Sequence, residues 1–313
     1  SLIIVTPHVQ QIRREFAAGF SRWHERVHGS PVAIDWRTPG GTTEILKQLE
    51  SQYTAALKGG RYEQHGDMKR PEFFMKAGTI GFDAVFGGGT YDHGRLKTGV
   101  KASIQGPEGK PVDVQCPMSI PAGFETAQLE SWFGKNLIGT QPLYDPDQYW
   151  TGVALSAFGI VYNRDVVKQL GLPEPRTFDD LTDARYGGWI ALADPRQSGS
   201  IATSLDSILS NAGWEHGWRI LREMCANTRY FTNASTKPPI DVSAGEAAAG
   251  LAIDFYGRGQ SQAVALPGET PQTSRVGYVD PPGATYIDAD PASIINGARH
   301  AELARRFIEF CLT

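Results

Sequence analysis

The sequence lacks the features that mark several broad classes of protein. It holds only three cysteines in 313 residues, and Cys116, Cys225 and Cys311 are far apart. Because no Cys-x-x-Cys pair occurs, a zinc ribbon and a thioredoxin-type redox site are excluded. One disulfide with a free thiol and three buried thiols both remain open. No run of about 18 apolar residues occurs either, so no membrane-spanning helix is expected.

Excess positive charge is also missing. The 30 Lys and Arg residues are outnumbered by 34 Asp and Glu residues, which gives a formal net charge of −4. A nucleic-acid-binding protein needs a basic face, so we expect no nucleic-acid partner. The chain opens directly on a strand-like stretch, SLIIVTPH, without a visible signal peptide, and export is therefore left open. With 41% hydrophobic and 20% charged residues, the chain is globular and long enough for two lobes.

The common catalytic motifs are absent as well. The sequence contains no G-x-S-x-G, no H-E-x-x-H and no G-x-x-x-x-G-K-[ST]. His24 and His28 are four residues apart, as metal ligands on a helix are, but a helix C-terminus favours cationic residues in any case. Asp92 and His93 are adjacent and could form an acid–base pair, yet no partner nucleophile is evident. We therefore predict no catalytic residues, no metal and no cofactor.

The apolar pattern predicts strands that alternate with helices. LIIVTP and PVAIDWR are strand-like, and the stretches that follow, 9–27 and 42–58, carry apolar residues at helical spacing. Strand, helix, strand and helix within 60 residues indicate parallel strands with helical crossovers. Residues 59–79 are polar and irregular, and residues 98–150 are expected to be rich in loops. Further short strands are predicted at Asp83–Phe86, TGVALSAFGIVYN, WIALA, Leu251–Phe255 and RVGYV, and a closing amphipathic helix at HAELARRFIEFCL.

Glycine and hydroxyl residues gather at the predicted carboxyl ends of these strands. Ligands of open parallel sheets bind at such ends. A helix start exposes unpaired N–H groups and a partial positive charge, and glycine lets a ligand approach them, which suits an oxyanion. The alternative is that residues such as Thr42 only cap their own helices. The five polar turns are TPH at 6–8, RTPGGTT at 37–43, FGGGTYDH at 86–93, ADPRQSGS at 193–200 and DFYGRG at 254–259.

Taken together, these segments resemble a known family. The stretch YWTGVALSAFGIVYNRDVVKQLGLPEPRTFDDLTDARYGGWIALADPRQSGS resembles the middle of bacterial extracellular solute-binding proteins of ABC importers. The opening IIVTPH and the closing HAELARRFIEFCL are similar to the first strand and last helix of that family. The resemblance spans nearly the whole chain, and the closest subgroup binds ferric iron, phosphonates, sugar phosphates or thiamine.

The resemblance implies an α/β protein with the two-lobed periplasmic-binding-protein type II fold. Each lobe would be a mixed, mostly parallel sheet flanked by helices, with a ligand cleft at the hinge. Lobe one is expected at 1–92 plus 251–295, and lobe two at 93–250 plus 296–313. The ligand-binding residues that it implies are Thr6, Pro7, His8, Gly40, Gly41, Thr42, Thr43, Gly88, Gly89, Thr90, Tyr91, Asp92, His93, Ser156, Phe158, Ser198, Gly199, Ser200, Asp254 and Tyr256.

The function implied is capture of a small ligand by hinge closure and its delivery to an ABC permease. We expect an anionic-headed ligand, a phosphonate, a sugar phosphate or similar, because the candidate donors are mostly neutral; Arg37 or Arg196 could add a fork-like charge contact. Ferric iron is the alternative, since His8 fits that subgroup, although the adjacent tyrosine pair of many ferric binders is absent. A cleft enzyme or a sensor on the same fold are alternatives of other classes. We expect a monomer, periplasmic or extracellular, with lipid anchoring left open.

Overall fold

The computed structural model describes residues 1–58, 75–105, 109–283 and 286–313. Most of the stretch predicted to be irregular at 59–79 lies outside these ranges. In chain order the elements are β1 (Leu2–Val5), α1 (Gln10–His28), β2 (Ile34–Arg37), α2 (Thr42–Leu57), β3 (Ala84–Phe86), α3 (Thr90–Thr98), β4 (Val100–Gln105), β5 (Pro111–Cys116), β6 (Ser119–Ile120), α4 (Thr126–Phe133), β7 (Thr151–Asn163), α5 (Arg164–Gln169), β8 (Ile190–Ala193), α6 (Gly199–Ala212), α7 (Trp214–Ala226), β9 (Thr228–Thr232), α8 (Lys237–Ala244), β10 (Ala249–Ile253), α9 (Asp254–Ala263), β11 (Val276–Val279), β12 (Ile287–Ile295) and α10 (Ala301–Cys311).

The chain forms two compact units. Unit 1 comprises Ser1–Ala154 and Ala289–Thr313, and unit 2 comprises Leu155–Asp288. The chain therefore passes from unit 1 to unit 2 within β7 and returns within β12. All three cysteines are free thiols, which resolves the alternative left open by the sequence. No helix of the described residues has both the length and the apolar character needed to span a bilayer.

This division differs from the expected one of 1–92 plus 251–295 and 93–250 plus 296–313. Strand β10 pairs with β7 and β8, and β11 pairs with β7, so both belong to unit 2. Strand β6 pairs with β12, and α10 packs on the aromatic core of unit 1, so both belong to unit 1. Pairing between strands that are distant in the sequence decides these assignments, and local sequence patterns do not predict such pairing.

Unit 1 is built on a mixed sheet with a parallel centre. Strand β1 pairs in parallel with β2 on one side and with β3 on the other, while β12 pairs antiparallel with β3. The crossovers from β1 to β2 and from β2 to β3 contain α1 and α2, as the alternating pattern predicted. Strands β4 and β5 form a separate antiparallel hairpin.

Unit 2 repeats this arrangement with different strands. Strand β8 pairs in parallel with both β9 and β10, and β7 pairs antiparallel with β10 and with β11. Helices α6 and α7 pack on one apolar core with β8 and β10. Each unit is therefore an α/β layer structure with a mixed sheet, which confirms the predicted α/β fold class. The sheets are less parallel than expected, because the strand pairs described for each unit are parallel and antiparallel in equal number.

Several predicted elements are confirmed, and some predictions are wrong. Helices α1, α2, α6 and α10 and strands β1, β2, β3, β7, β8 and β11 lie where the sequence indicated. Residues 98–150 are less irregular than predicted, because they hold the β4–β5 hairpin, β6 and α4. The strand predicted at Leu251–Phe255 ends at Ile253, and Asp254 starts a helix. Helices α7 and α8 and strands β9 and β12 have no counterpart in the sequence prediction.

An aromatic cluster ties the terminal helices of unit 1 to its sheet. The ring of Phe307 on α10 lies 5.4 Å from that of Phe20 on α1 and 5.3 Å from that of Phe86 on β3. Both contacts are edge-to-face, and Phe20 and Phe307 have no exposed surface. The last helix of the chain is thus part of the core beneath the carboxyl end of β3.

Truncating this cluster should destabilise unit 1. We expect Phe307→Ala to lower the free energy of unfolding by about 3–5 kcal/mol, because it removes a fully buried ring and leaves a cavity. Urea denaturation followed by tryptophan fluorescence measures the change. Val27→Ala, at a position that is 52% exposed, is the control and should cost less than about 0.5 kcal/mol. A loss below about 1 kcal/mol for Phe307→Ala would contradict this packing.

Candidate functional site

The three parallel strands of unit 1 end at the same edge of the sheet. Val5 at the end of β1 is opposite Arg37 of β2 and Val85 of β3. The N–H of Thr6 donates to the carbonyl of Arg37 at 2.9 Å, so the first two polar turns are tied together where their strands end. The strand register thus puts these polar turns, which the sequence analysis assigned to the carboxyl ends of strands, at one edge of the unit 1 sheet.

His8 fills the space beside the glycine turn after β3. A Cβ at Gly87 would lie 2.4 Å from His8 Nε2, so only glycine fits there, and Gly87 has φ +93°. The imidazole packs on Phe86 at 4.7 Å, and its Nε2 lies 3.5 Å from Asp290 Oδ2. Burial lowers the pKa of His8 to about 4. The ring is therefore neutral at neutral pH and offers no positive charge to an anion.

The starts of α2 and α3 meet at Gly88. A Cβ at Gly88 would lie 2.9 Å from Thr42 Cγ2 and 3.5 Å from Asp92 Oδ2, so the glycine keeps the gap between these two side chains open. Thr42 is 5% exposed, and its hydroxyl makes no well-formed hydrogen bond among the described residues. Burial raises the pKa of Asp92, although the nearby Thr42 hydroxyl and the Gly89 N–H oppose this effect.

Both helices start with a glycine N-cap and carry an acidic residue in the first turn. Gly41 precedes α2 and Gly89 precedes α3, each with extended backbone. The first hydrogen-bonded amides of α2 are those of Glu44 and Ile45, which leaves the N–H groups of the preceding residues without intrahelical partners. The Glu44 carboxylate folds back against Gly40, where a Cβ would otherwise lie. The Glu44 carboxylate therefore lies close to the start of α2.

His93 does not form an acid–base pair with Asp92. Its Nε2 lies 3.2 Å from the carbonyl of Gly87, and its Nδ1 lies 2.6 Å from the hydroxyl of Ser293 on β12. A carbonyl can only accept, so Nε2 carries the proton and Ser293 donates to Nδ1. Burial lowers the pKa of His93 to about 4. Through these two hydrogen bonds, the neutral histidine connects the turn after β3 to β12.

The polar turn after β8 in unit 2 is largely satisfied by itself. Ser198 is the N-cap of α6, and its hydroxyl accepts from the N–H of Ile201 at 3.4 Å, so the helix-cap alternative holds for this residue. Gly199 and Ser200 are the first two residues of the helix. The exposed Arg196 guanidinium pairs with Asp194 at 2.7 Å. Asp194 accordingly keeps its pKa well below the ordinary value, mainly through hydrogen bonds from Arg196.

A second group in unit 2 gathers where β10 ends beside β7. Asp254 starts α9 and accepts hydrogen bonds from its neighbour Phe255 at 2.8 Å and from the backbone of Ala157 on β7. Burial raises the pKa of Asp254. The adjacent Ser156 is buried, and its hydroxyl donates to the carbonyl of Asp288 at 3.5 Å. Tyr256 is buried against Phe255, with ring centroids 4.5 Å apart.

The predicted residues are distributed over both units. Within unit 1 the structure brings together the residues after β1, at the start of α2 and at the start of α3; Tyr91, which is 71% exposed, lies on the outer side of α3. In unit 2, Ser198–Ser200 follow β8 and Asp254 follows β10, and these two strands are parallel neighbours in the sheet. Arg37, proposed as an anion contact, is paired with Asp35 at 2.6 Å. Residues that sequence reasoning missed are Glu44, Gly87, Asp290 and Ser293.

Among the residues that the structure describes, metal-ligating side chains do not cluster. No group of three or more His, Cys, Asp or Glu side chains there could hold a metal ion. His24 lies with Nδ1 2.7 Å from the carbonyl of Ser30 and Nε2 3.2 Å from Arg306 Nη1. Its contacts are those of a residue that anchors the end of α1 to α10.

Filling the space at Gly87 should displace His8. We expect Gly87→Ala to lower the free energy of unfolding by about 2 kcal/mol or more beyond the cost of its positive φ, because the added methyl group would overlap the His8 ring. Gly123→Ala is the matched control, since Gly123 has φ +67° but open space around a Cβ. Urea denaturation of both variants measures the difference. Equal losses would show that the His8 ring does not press on this turn.

The two buried histidines should titrate far below the ordinary value. Their pKa values of about 4 lie below the ordinary value of 6.5, so the unfolded chain binds protons first as the pH falls. Their contribution to stability is complete above pH 6.5 and is lost as the pH falls toward about 4. Long-range ¹H–¹⁵N spectra of the imidazoles recorded against pH measure this. Titration of His8 or His93 near 6.5 would contradict their burial.

Comparisons with known proteins agree on one family. The model of the family described as bacterial extracellular solute-binding protein matches residues 127–313. A protein of Haemophilus influenzae, itself uncharacterized, is 26% identical over 174 residues, 55% of this chain and 48% of its own length. The phosphoglycerate transport regulatory protein PgtC of Salmonella typhimurium is 27% identical over 163 residues, 51% of this chain and 38% of its own length. The matched regions thus span less than half the length of these curated relatives.

Solved structures share the fold over the full chain. The periplasmic binding protein AfuA from Actinobacillus pleuropneumoniae, with fructose-6-phosphate bound, has a TM-score of 0.67 at 17% identity and matches over 100% of this chain and 79% of its own. A ferric binding protein from Campylobacter jejuni has a TM-score of 0.63 at 16% identity, with 100% and 81% covered. The substrate binding protein of an ABC transporter from Agrobacterium tumefaciens has 0.68 at 15%, with 100% and 74% covered. The chain belongs to the bacterial extracellular solute-binding proteins and has the type II periplasmic binding fold.

Proposed function

We propose that this chain captures a small ligand with an anionic head, a phosphonate, a sugar phosphate or similar, and delivers it to an ABC permease. The observation that carries this proposal is the convergence of two helix starts at Gly88, with a buried hydroxyl from Thr42 beside it. Both helices follow parallel strands whose carboxyl ends share one edge of the sheet in unit 1. Such an edge is where ligands of open α/β sheets bind.

The donors available there suit an oxyanion. The amides of Thr42 and Thr43 precede the first hydrogen-bonded turn of α2, and the partial positive charge of the helix start favours an anion. Gly41 and Gly88 carry no side chain that would keep a ligand away from these amides, whereas the space at Gly40 is taken by the Glu44 carboxylate. The buried Thr42 hydroxyl, beside the Asp92 carboxylate, adds a donor that makes no well-formed hydrogen bond among the described residues.

Names of relatives support the same class of ligand. AfuA is described with fructose-6-phosphate bound, and PgtC is named for phosphoglycerate transport. Fructose-6-phosphate and phosphoglycerate are both small molecules with a phosphoryl group. The low identities and the partial coverage of PgtC leave the ligand of this chain as our proposal.

In this proposal the chain works as a receptor and catalyses no reaction. Ligand binding closes the two units about a hinge in the strands that connect them, β7 and β12, and the closed form is recognised by the permease. Ser156, Ser198–Ser200, Asp254 and Tyr256 are the residues that unit 2 would contribute. Capture takes place outside the cytoplasmic membrane, where this family acts.

Ferric iron is less well supported as the ligand. The sequence argument for iron rested on His8, and that side chain is packed between Gly87 and Phe86 with its Nε2 directed at Asp290. The likeness to ferric binding proteins is at 16% identity and shows the fold alone. No contact among the described residues favours iron over a phosphoryl group.

Removal of the buried hydroxyl tests the proposed site. We expect Thr42→Val to weaken binding of a phosphorylated ligand by about tenfold to a hundredfold, because a hydrogen bond to a charged group contributes about 1.5–3 kcal/mol. Calorimetric titration with fructose 6-phosphate, phosphoglycerate and inorganic phosphate measures binding to the wild type and the variant. The shift in thermal unfolding with each compound provides a second readout.

Thr54→Val is the matched control, because Thr54 is exposed on the same helix. It should bind the same compounds as tightly as the wild type does. If Thr42→Val binds them unchanged, the start of α2 is not the anion site. If the wild type binds none of the three, the ligand class itself is wrong.

A further inference from the structure

A carboxylate lies against the glycine turn that leads into the proposed anion site. The side chain of Glu44, in the first turn of α2, folds back over Gly40 and fills the space that a Cβ at Gly40 would need. Gly40 directly precedes the N-cap of α2, and the next two residues, Thr42 and Thr43, offer the amides without intrahelical partners. A negative charge thus lies beside the helix start at which an anionic ligand would be held.

Neither capping nor ion pairing accounts for this position of Glu44. In α3, Asp92 accepts a hydrogen bond from the N–H of the N-cap residue at 3.4 Å, but the N-cap of α2 makes no such bond to Glu44. Farther along α2, Glu50 is paired with Arg95, whereas Glu44 makes no ion pair or hydrogen bond among the described residues. What remains is the attraction between a carboxylate and the partial positive charge of a helix start.

This carboxylate can leave its place at little cost. The Glu44 side chain is only partly buried, and its rotation toward solvent breaks no hydrogen bond to a described residue. The lost interaction with the helix start is small at a partly exposed position. Rotation uncovers the backbone at Gly40 and removes a negative charge from beside the anion site.

We infer that Glu44 is a built-in competitor of the ligand, whose carboxylate occupies the start of α2 when no ligand is bound and is displaced by the bound anion. The inference rests on the proposed anion site and adds a regulation of its affinity. Two like charges repel each other at one helix start, so the ligand and the carboxylate exclude each other there. Displacement offsets part of the binding free energy, and the ligand is therefore released more readily than the amides alone would allow.

Neutralising Glu44 should change affinity and stability in opposite directions. We expect Glu44→Gln to bind inorganic phosphate and fructose 6-phosphate about tenfold more tightly, because a like charge beside the bound anion is removed. Without ligand, the same change should lower the melting temperature by about 1–3 °C, because the helix start loses its carboxylate. Calorimetric titration and thermal unfolding of the full chain measure the two quantities. A purely structural glutamate would lower the melting temperature without a gain in affinity.

Two further variants separate displacement from charge. Glu44→Asp keeps the charge in the first turn, but its side chain is one methylene shorter and does not reach Gly40. It should bind phosphate at least about threefold more tightly than the wild type, with a melting temperature within about 1 °C. Glu215→Gln makes the same charge change in the first turn of α7, at an exposed position in unit 2, and should leave the affinity unchanged. Circular dichroism establishes that each variant is folded.

The possible outcomes separate this inference from the function on which it rests. If the wild type binds and Glu44→Gln binds equally or more weakly, the role of Glu44 is overturned and the anion site is left intact. Tighter binding by Glu44→Gln with wild-type affinity in Glu44→Asp would show that the charge acts at a distance, which would also overturn displacement. Binding of neither compound by the wild type and the variants would overturn the proposed function as well.

Discussion

Close approach of the backbone at Gly87 and Gly88 is the constraint on which the candidate site depends. A side chain at either position would collide with His8 or Thr42. Because the two residues follow β3 directly, they place the start of α3 against the start of α2 and against the turn after β1. Positive φ at both residues makes glycine the natural choice for the turn as well as for the space. The geometry of three elements is thus set by two residues without side chains.

The electrostatics of this corner favour neutral donors over formal charge. Burial keeps His8 and His93 neutral, and Arg37 is paired with Asp35, two residues away. What remains for a ligand is a helix start and a hydroxyl, which together stabilise an anion by a few kcal/mol at most. Such a site suits reversible capture.

Much of unit 1 could be predicted from the sequence because its signals are local. The alternation of apolar strands and amphipathic helices up to α2, and the glycine-hydroxyl turns, were sufficient to place Thr42 and Gly88 at one edge. Asp290 and Ser293 could not be predicted, since β12 contains acidic residues and Pro291 and becomes a strand through pairing with β3. The strand predicted at Leu251–Phe255 included Asp254. In the structure β10 ends at Ile253, and Asp254 is the first residue of α9. The unit boundaries likewise depend on pairing between distant strands.

The central claim is that the amides at the starts of α2 and α3 hold the anionic part of the ligand. Backbone ¹H–¹⁵N spectra recorded during titration with inorganic phosphate and with fructose 6-phosphate test it most directly. The account predicts that the largest shifts common to both titrations occur at Thr42, Thr43, Gly88 and Gly89. Saturable binding with unchanged resonances at these four residues would contradict it.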